Sequence, residues 1–400
     1  MRILSVGNRY PPWSTGGYEI TWAGAVQALR GAGHATRVLT TLPDPSDRAG
    51  TAEAAPSDVH RELRWYWRAH RFPSRGLADC VALERHNAAV LQSHLSAFRP
   101  DVVMWWAMGG MSLSLLEQAR RAGIPALAVV GDEWVVYGPD VDGWSRRWRR
   151  GAARLLAPAV TRLTGLPTRL RFDDCALWSF NSAYTRQGAR SAGWKLTGAT
   201  VEHPGIDLER FGMPPAPQWR WKLLCCGRVD PRKGIATALQ AMALLPAQAT
   251  LTVHGDGDPD HLAELASLAE RLQLADRVTF SSGSHDRVAE VYAACDALIF
   301  PVTWREPWGL VPLEAMACGR PVIATRAGGG AAEYLEDGGN CLQFEPGDAR
   351  GLAASLRGLA ADAELRAGLV RRGLTTAAQY PQSAFHEALQ RRLTEAVARA

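Results

Sequence analysis

Residues 304–329 read WREPWGLVPLEAMACGRPVIATRAGG. Two carboxylates, Glu306 and Glu314, bracket PWGL, and the second already lies inside an apolar, helix-like run. Just upstream, DALIF (296–300) has the short apolar pattern of a buried strand, so PVTWREPWG is a loop leaving that strand's carboxyl end. LVPLEAMACG then predicts a helix closed by Gly319, with Arg320 and Pro321 beyond it. Pro312 is tolerated because the first helical turn has no intrahelical donor to lose. PVIAT follows as the next strand, and strand, loop, helix and strand in that order predict a parallel α/β sheet.

The start of such a helix has a chemistry of its own. The amides of Gly309, Leu310 and Val311 lack intrahelical acceptors, and with the helix dipole behind them they form an anion site. A bare glycine there lets a phosphate approach the backbone. One turn further on, Glu314 reaches hydroxyls attached to such a phosphate, a ribose diol for example, while Glu306 reaches its other side. The same pair also reads as a loop acid and a helix acid near a favourable dipole end.

The alternation extends in both directions. Towards the N-terminus, RILSV leads through a Pro/Gly-rich loop to a helix over about 18–30, stopped by GAGH, and ATRVLT, DVVMWWA, PALAVV, CALWSF and ATVEH read as further strands. ERFGMPPAPQWRW (209–221), with three prolines, a glycine and no periodicity, marks a linker. Beyond it come KLLCCG, a helix near 234–245, TLTVHG, a helix near 260–273, RVTF and, after the opening segment, CLQF. At 400 residues the chain suits two domains. The expected architecture is two doubly wound α/β domains, 1–210 and 211–382, facing across a cleft. A final helix over 383–400, with an apolar stripe of Phe385, Leu389, Leu393 and Val397, is expected to pack back on the first domain.

Composition excludes more than it assigns. Apolar residues make up 47 % and charged residues 21 %, as in globular proteins, and the net charge of +5 is too small for this length to indicate a partner. The N-terminus lacks the apolar core of a secretory signal, and no run approaches the ~18 apolar residues of a membrane span. Seven scattered cysteines without a C-x-x-C pair read as buried thiols of a cytoplasmic protein.

A second loop carries cations. LLCCGRVDPRKGIATAL is strand, tight loop and helix, with Arg228 and Lys233 five positions apart and Gly234 opening the helix. Arg offers phosphate oxygens a planar fork and Lys a flexible point charge; a solvated basic turn is the plain alternative. In the first loop, NRYPPWSTGGYE, Gly16 and Gly17 precede a helix as a phosphate-approaching turn does, although neither G-x-G-x-x-G nor a Walker lysine is present.

Taken together, GG in the first loop, HPGIDLERF, GRVDPRKG, HGDGDPDHL and EPWGLVPLEAMACGRPVIAT resemble the retaining GT-B glycosyltransferases of glycosyltransferase family 4, in order and over nearly the whole chain. The resemblance implies a GT-B fold and a retaining hexosyltransferase that takes a nucleotide-sugar donor, UDP- or GDP-linked, to a hydroxyl acceptor. Within it, Arg228 and Lys233 match the pair that neutralises the donor diphosphate, Glu306 the acid at the donor sugar, and Glu314 the acid at the ribose. Gly309, Leu310 and Val311 match the amides on the distal phosphate, and Gly16 and Gly17 the loop that touches the donor from the first domain. Residues 280–283, with Ser282 and Gly283, fall where the base lies. One departure stands out. Where the family often has a histidine near the transferred sugar, this sequence has Gly131, followed by Asp132: either Asp132 takes over part of that role or the sugar is positioned without it. His203 in EHPGID is a second cleft candidate, or a structural histidine.

With Arg228, Lys233 and a helix terminus facing the leaving group, no metal and no cofactor are expected. The alternatives weighed are a nucleotide-sugar epimerase of the same fold and a non-catalytic nucleotide-sugar-binding protein. On the acceptor side, ELRWYWRAHRF (62–72) and the segment 144–171, which has eight arginines and no acid, suit anionic lipid headgroups, acidic glycans or an interfacial helix, and equally a solvated arginine-rich surface. The expected partners are the nucleotide sugar, a sugar, lipid-linked or small-molecule acceptor and the inner membrane face through 144–171, without nucleic acid.

Overall fold

The computed structural model describes residues 1–13, 16–43, 58–68, 71–212, 218–283 and 287–399 of the chain. Two compact units emerge, Met1–Glu202 with His386–Ala400, and His203–Phe385.

Among the described residues of the first unit, seven strands pair in parallel in the order β3-β2-β1-β4-β5-β6-β7. They are β1 (Arg2–Val6), β2 (Ala35–Thr41), β3 (Val59–Leu63), β4 (Val102–Trp105), β5 (Ala126–Val130), β6 (Leu177–Phe180) and β7 (Thr200–Val201). β1 is an interior strand, with Ile3 opposite Thr36 on one side and Val102 on the other. Such a strand is covered on both faces, which is why ILSV is buried throughout rather than alternating. The helix Gly17–Gly31 covers it, and its Trp22 indole donates to Ser5 Oγ at 2.7 Å.

β3 was not expected from the sequence. Only Leu63 of VHREL is buried, because an edge strand needs no continuous apolar run. The long helix Leu77–Phe98 also went unread; its N-cap, Gly76, has no side chain to accept from the first amides.

Among its described residues the second unit has six strands, β8 (Lys222–Cys226), β9 (Thr250–His254), β10 (Val278–Ser281), β11 (Ala297–Phe300), β12 (Val322–Thr325) and β13 (Cys341–Phe344), in the order β10-β9-β8-β11-β12-β13, all parallel. Successive side chains enter opposite cores. Leu223 and Cys225 join Leu239, Leu265 and Leu356 on one face, while Leu224 joins Tyr292, Leu313 and Met316 on the other. Strand order reverses between β8 and β11, so the loops leaving these two strands open at the switch point where ligands of doubly wound sheets bind. Every strand expected from the sequence in this half is present.

The chain passes from one unit to the other earlier than the proline-rich stretch at 209–221, of which 213–217 lie outside the described residues. Residues 204–206 are already tied into the second unit. Trp308 donates its indole N–H to the Pro204 carbonyl, and Ile206 exchanges backbone hydrogen bonds with Tyr380 and Gln382. The last helix runs Gln382–Ala398. Phe385, Leu389 and Leu393 are buried as the stripe requires, but Val397 is 37 % exposed, so the buried stripe ends a turn early. All seven cysteines are free, six of them buried and Cys226 partly so.

Candidate functional site

The chain leaves β8 through Gly227, at φ 111°, and turns through a single 3₁₀ turn, Pro231–Lys233, into the helix Ile235–Met242. Gly234 sits between the two at φ 66°, and a Cβ there would lie 1.9 Å from the Pro301 carbonyl oxygen. Both the left-handed backbone and the close approach exclude any side chain. The loop after β11 is thereby pressed against the loop after β8, and Thr303 N–H donates to the Arg232 carbonyl at 2.8 Å.

This contact brings the predicted charges together. Lys233 Nζ lies 2.7 Å from Glu306 Oε2, and the Trp304 indole donates to the same oxygen at 2.9 Å. The Trp304 ring also carries the Arg232 guanidinium, 4.4 Å from its centroid. Glu306 is fixed from behind as well, since its carbonyl accepts from Gly330 N–H at 2.7 Å. Arg228 is more exposed and pairs with Asp230 at 2.9 Å; Asp230 also accepts from Arg232. Burial raises the Asp230 carboxyl, but the hydrogen bond from Arg232 and the charges of Arg228 and Arg232 outweigh it and hold the pKa below the usual range.

Gly309, at φ 86°, caps the helix Leu310–Ala317. The amides of Leu310 and Val311 open onto the same loops, and the Val311 side chain lies 3.6 Å from where a Cβ on Gly227 would be. A small concavity here is lined by Cys226, Gly227, Arg228, Lys233, Phe300 and Pro301, among others. Two cations, a helix N-terminus and a glycine-smoothed wall are the groups by which protein loops can hold a polyanion.

Glu314 lies deeper than a freely reaching acid. It is 8 % exposed, and its Oε2 accepts from Tyr292 Oη at 2.7 Å. Burial raises its pKa, against the opposing pull of the Tyr292 hydrogen bond and the Arg210 charge. Ser282 and Gly283 follow β10, two strands from the switch point, beside a 3.0 Å contact between His254 Nδ1 and Ser281 Oγ.

In the first unit, Gly16 is the N-cap of the helix Gly17–Gly31, and its N–H donates to Glu19 Oε2 at 2.9 Å. Ser14 and Thr15 of the same loop lie outside the described residues. The position of the family's histidine has a steric explanation. A Cβ on Gly131 would meet the Tyr18 ring at 2.5–2.8 Å, and that ring is held by a hydrogen bond from Tyr18 Oη to the Val129 carbonyl. Tyr18 therefore occupies the space a side chain at 131 would need. Asp132, at the carboxyl end of β5, accepts from Trp134 N–H at 2.9 Å and from Tyr137 Oη at 3.0 Å. Burial pushes its pKa up to about 6, opposed by those two donors and reinforced by Glu19 and Glu133.

His203 stacks on Trp308 with centroids 4.2 Å apart and meets the Tyr380 ring edge-on, which is a packing role within the second unit. Among the described residues one group has metal-ligand spacing, His60, Glu62 and His94 in the first unit, with ligand atoms within 4.8 Å of one another. Arg37 Nη1 faces His94 Nδ1 at 3.4 Å, so a fixed positive charge already stands beside it.

Sequence reasoning passed over Trp304, Asp230, Tyr292 and Tyr18. Trp304 stood inside the opening segment, but nothing in its spacing tells a stacking tryptophan from a core one. Tyr292 and Tyr18 act through partners distant in the chain, whereas Asp230 pairs with Arg228 and Arg232 two positions to either side.

Comparison with known proteins gives these loops a context. The model of the family "Glycosyl transferases group 1" matches residues 211–375. The lipopolysaccharide core biosynthesis glycosyltransferase LpsE of Rhizobium meliloti (strain 1021) is 32 % identical over 245 residues, 57 % of this chain and 67 % of that relative. A GDP-mannose-dependent alpha-(1-6)-phosphatidylinositol monomannoside mannosyltransferase of Mycobacterium tuberculosis (strain ATCC 25618 / H37Rv) is 29 % identical over 350 residues, 82 % of this chain and 81 % of the relative. Among solved structures, a sucrose-phosphate synthase from Thermosynechococcus elongatus aligns over 100 % of both chains with a TM-score of 0.75 at 23 % identity. HepE of Anabaena in complex with UDP-glucose aligns over 99 % of this chain and 100 % of its own, with a TM-score of 0.70 at 21 % identity. The two Rossmann-like units are those of the GT-B fold.

Proposed function

The chain belongs to the group 1 glycosyl transferases, and from that we propose that it moves a hexose from a nucleotide-sugar donor, UDP- or GDP-linked, to a hydroxyl acceptor, with retention of anomeric configuration and without a metal ion. The observation that carries the reading is the convergence of Lys233, Glu306 and Arg228 with the amides at Gly309, Leu310 and Val311 at the β8/β11 switch point. Breaking the anomeric C–O bond leaves negative charge on the diphosphate. Preorganised cations and amides aimed at that charge stabilise the transition state more than the ground state.

In this reading Arg228 and Lys233 hold the diphosphate, and the amides take its distal phosphate. Glu306 orients the donor sugar while it positions the Lys233 ammonium. Glu314 accepts from the ribose, Ser282 and Gly283 border the base, and Gly16 and Gly17 contribute to donor binding. Asp132 serves the transferred sugar in place of the family's histidine. The two fixed cations supply the charge neutralisation a divalent ion would otherwise provide. Retention rests on the family resemblance. The acceptor is a sugar, lipid-linked or small-molecule hydroxyl, and the enzyme works on the cytoplasmic side with membrane contact through 144–171.

Transfer assays with UDP- and GDP-sugars in EDTA test this. Product with the donor's anomeric configuration supports the reading. Loss of turnover on chelation overturns metal independence, an inverted product overturns retention, and a free epimerised sugar without acceptor overturns transfer.

A further inference from the structure

The helix Ala153–Thr164 presents its large apolar residues to the outside. Leu155, Leu156 and Leu163 are 83 %, 60 % and 85 % exposed, and Leu163 and Leu155 are the two most exposed large hydrophobics among the described residues. These leucines are not core residues left unpacked. The helix is already seated by Ala157 and Val160 in a cluster with Tyr66, Leu83, Trp144 and Trp148, and Thr168 Oγ donates to the Ala157 carbonyl at 2.9 Å. At about 100° per residue, Leu155, Ala159, Leu163 and Leu156 fall in one outward stripe about 100° wide, with Arg162 and then Arg154 following along one margin.

The surroundings of the stripe are strongly basic. The segment 144–171 contains eight arginines and no acid. Arg150, Arg154, Arg162, Arg169 and Arg171 are all exposed, and none of them pairs with a described acid. A nucleic acid would satisfy the arginines and leave the leucines in water. A second copy of the chain would bring a like-charged face, and one helical stripe falls short of the roughly 800 Å² per partner of a standard interface. An anionic bilayer satisfies both features: apolar side chains enter the acyl boundary while arginines extend to headgroup phosphates.

We propose that the helix Ala153–Thr164 docks the first unit onto an anionic lipid surface, with Leu155, Leu156 and Leu163 inserted and Arg154 and Arg162 on the headgroups. This rests on the membrane side of the proposed function, not on its donor chemistry. It narrows the contact from a basic segment to one apolar stripe.

The test is co-sedimentation of the full chain with phosphatidylcholine vesicles, with and without phosphatidylglycerol, for the wild type and for Leu155→Glu/Leu163→Glu. Melting temperature and the thermal shift given by UDP or GDP serve as controls for the fold and the donor site. The wild type is expected to pellet with the anionic vesicles and not with the neutral ones. The double variant is expected to lose more than about tenfold in partitioning, with both thermal readouts unchanged. A double variant that pellets like the wild type overturns the inference while leaving an arginine-only contact standing. A wild type that stays in solution overturns it together with any membrane role for 144–171. Self-association abolished by the same substitutions, without vesicle binding, assigns the stripe to a second copy and overturns it too. None of these outcomes bears on donor binding, which the nucleotide shift reads separately.

Discussion

Lys233 and Glu306 stand 73 positions apart in the chain, and Lys233 Nζ lies 2.7 Å from Glu306 Oε2. The two loops of the switch point meet through this pair, which is only partly exposed. The carboxylate aims the ammonium and the Trp304 indole steadies the carboxylate, so the lysine is oriented by its neighbours instead of ranging freely.

Replacing Lys233 with Ala removes a charge-assisted contact to the diphosphate, as does Arg228→Ala. Each is expected to cost about 1.5–3 kcal/mol of nucleoside diphosphate affinity, or roughly one to two orders of magnitude in Kd. Isothermal titration with UDP and GDP measures it; affinity equal to wild type for both variants would falsify the diphosphate seat.

Glu314→Gln keeps an oxygen able to accept from Tyr292 and removes a buried charge whose pKa burial has raised. The melting temperature is therefore expected to hold or rise near pH 7 while nucleotide affinity falls. Thermal melts with and without ligand check both. A collapsed melting temperature at normal affinity assigns Glu314 to structure alone.

Installing histidine at Gly131 forces a side chain into the Tyr18 ring. Overpacking of this kind costs about 1–3 kcal/mol, so Gly131→His is expected to lower the melting temperature, and Tyr18→Ala in the same chain to recover part of the loss. Additive destabilisation in the double variant would show that ring and position 131 do not compete for one space.

Asp132, with its pKa pushed up to about 6, gives stability a recognisable pH dependence. Between about pH 4 and pH 6 the native chain keeps a proton that the unfolded chain, with an ordinary aspartate near 3.9, has released. Stability therefore falls as pH rises through that window, by up to about 1.4 kcal/mol per pH unit. Urea unfolding of Asp132→Asn across pH 4–7 is expected to lack this component; an unchanged slope assigns the dependence to other groups.

Much of this was readable from residue patterns, and the gaps have physical causes. Strands of the second unit stood out because they are buried on both faces and so form unbroken apolar runs, as in ALIF and VIAT. β3 and the helix Leu77–Phe98 did not, since one lies at an edge and the other starts at a glycine without a capping side chain. The site's charged members were visible because cations and acids beside glycine-opened helices are a local pattern. Their neighbours Trp304, Tyr292 and Tyr18 were not, because aromatic residues look alike in sequence whether they stack on a cation, hold a carboxylate or fill a histidine's place.

The order of residues along the chain thus fixed the kind of fold, the loops that bear the chemistry and the types of group on them, because hydrophobic period, glycine and proline act over a few neighbouring positions. Folding alone settled which of those groups meet. That Lys233 pairs with Glu306, that Glu314 sinks against Tyr292, that Tyr18 closes position 131 and that Leu155 and Leu163 face outward each depend on which elements the sheets bring side by side. Packing is a property of three-dimensional neighbours, and no local pattern encodes it.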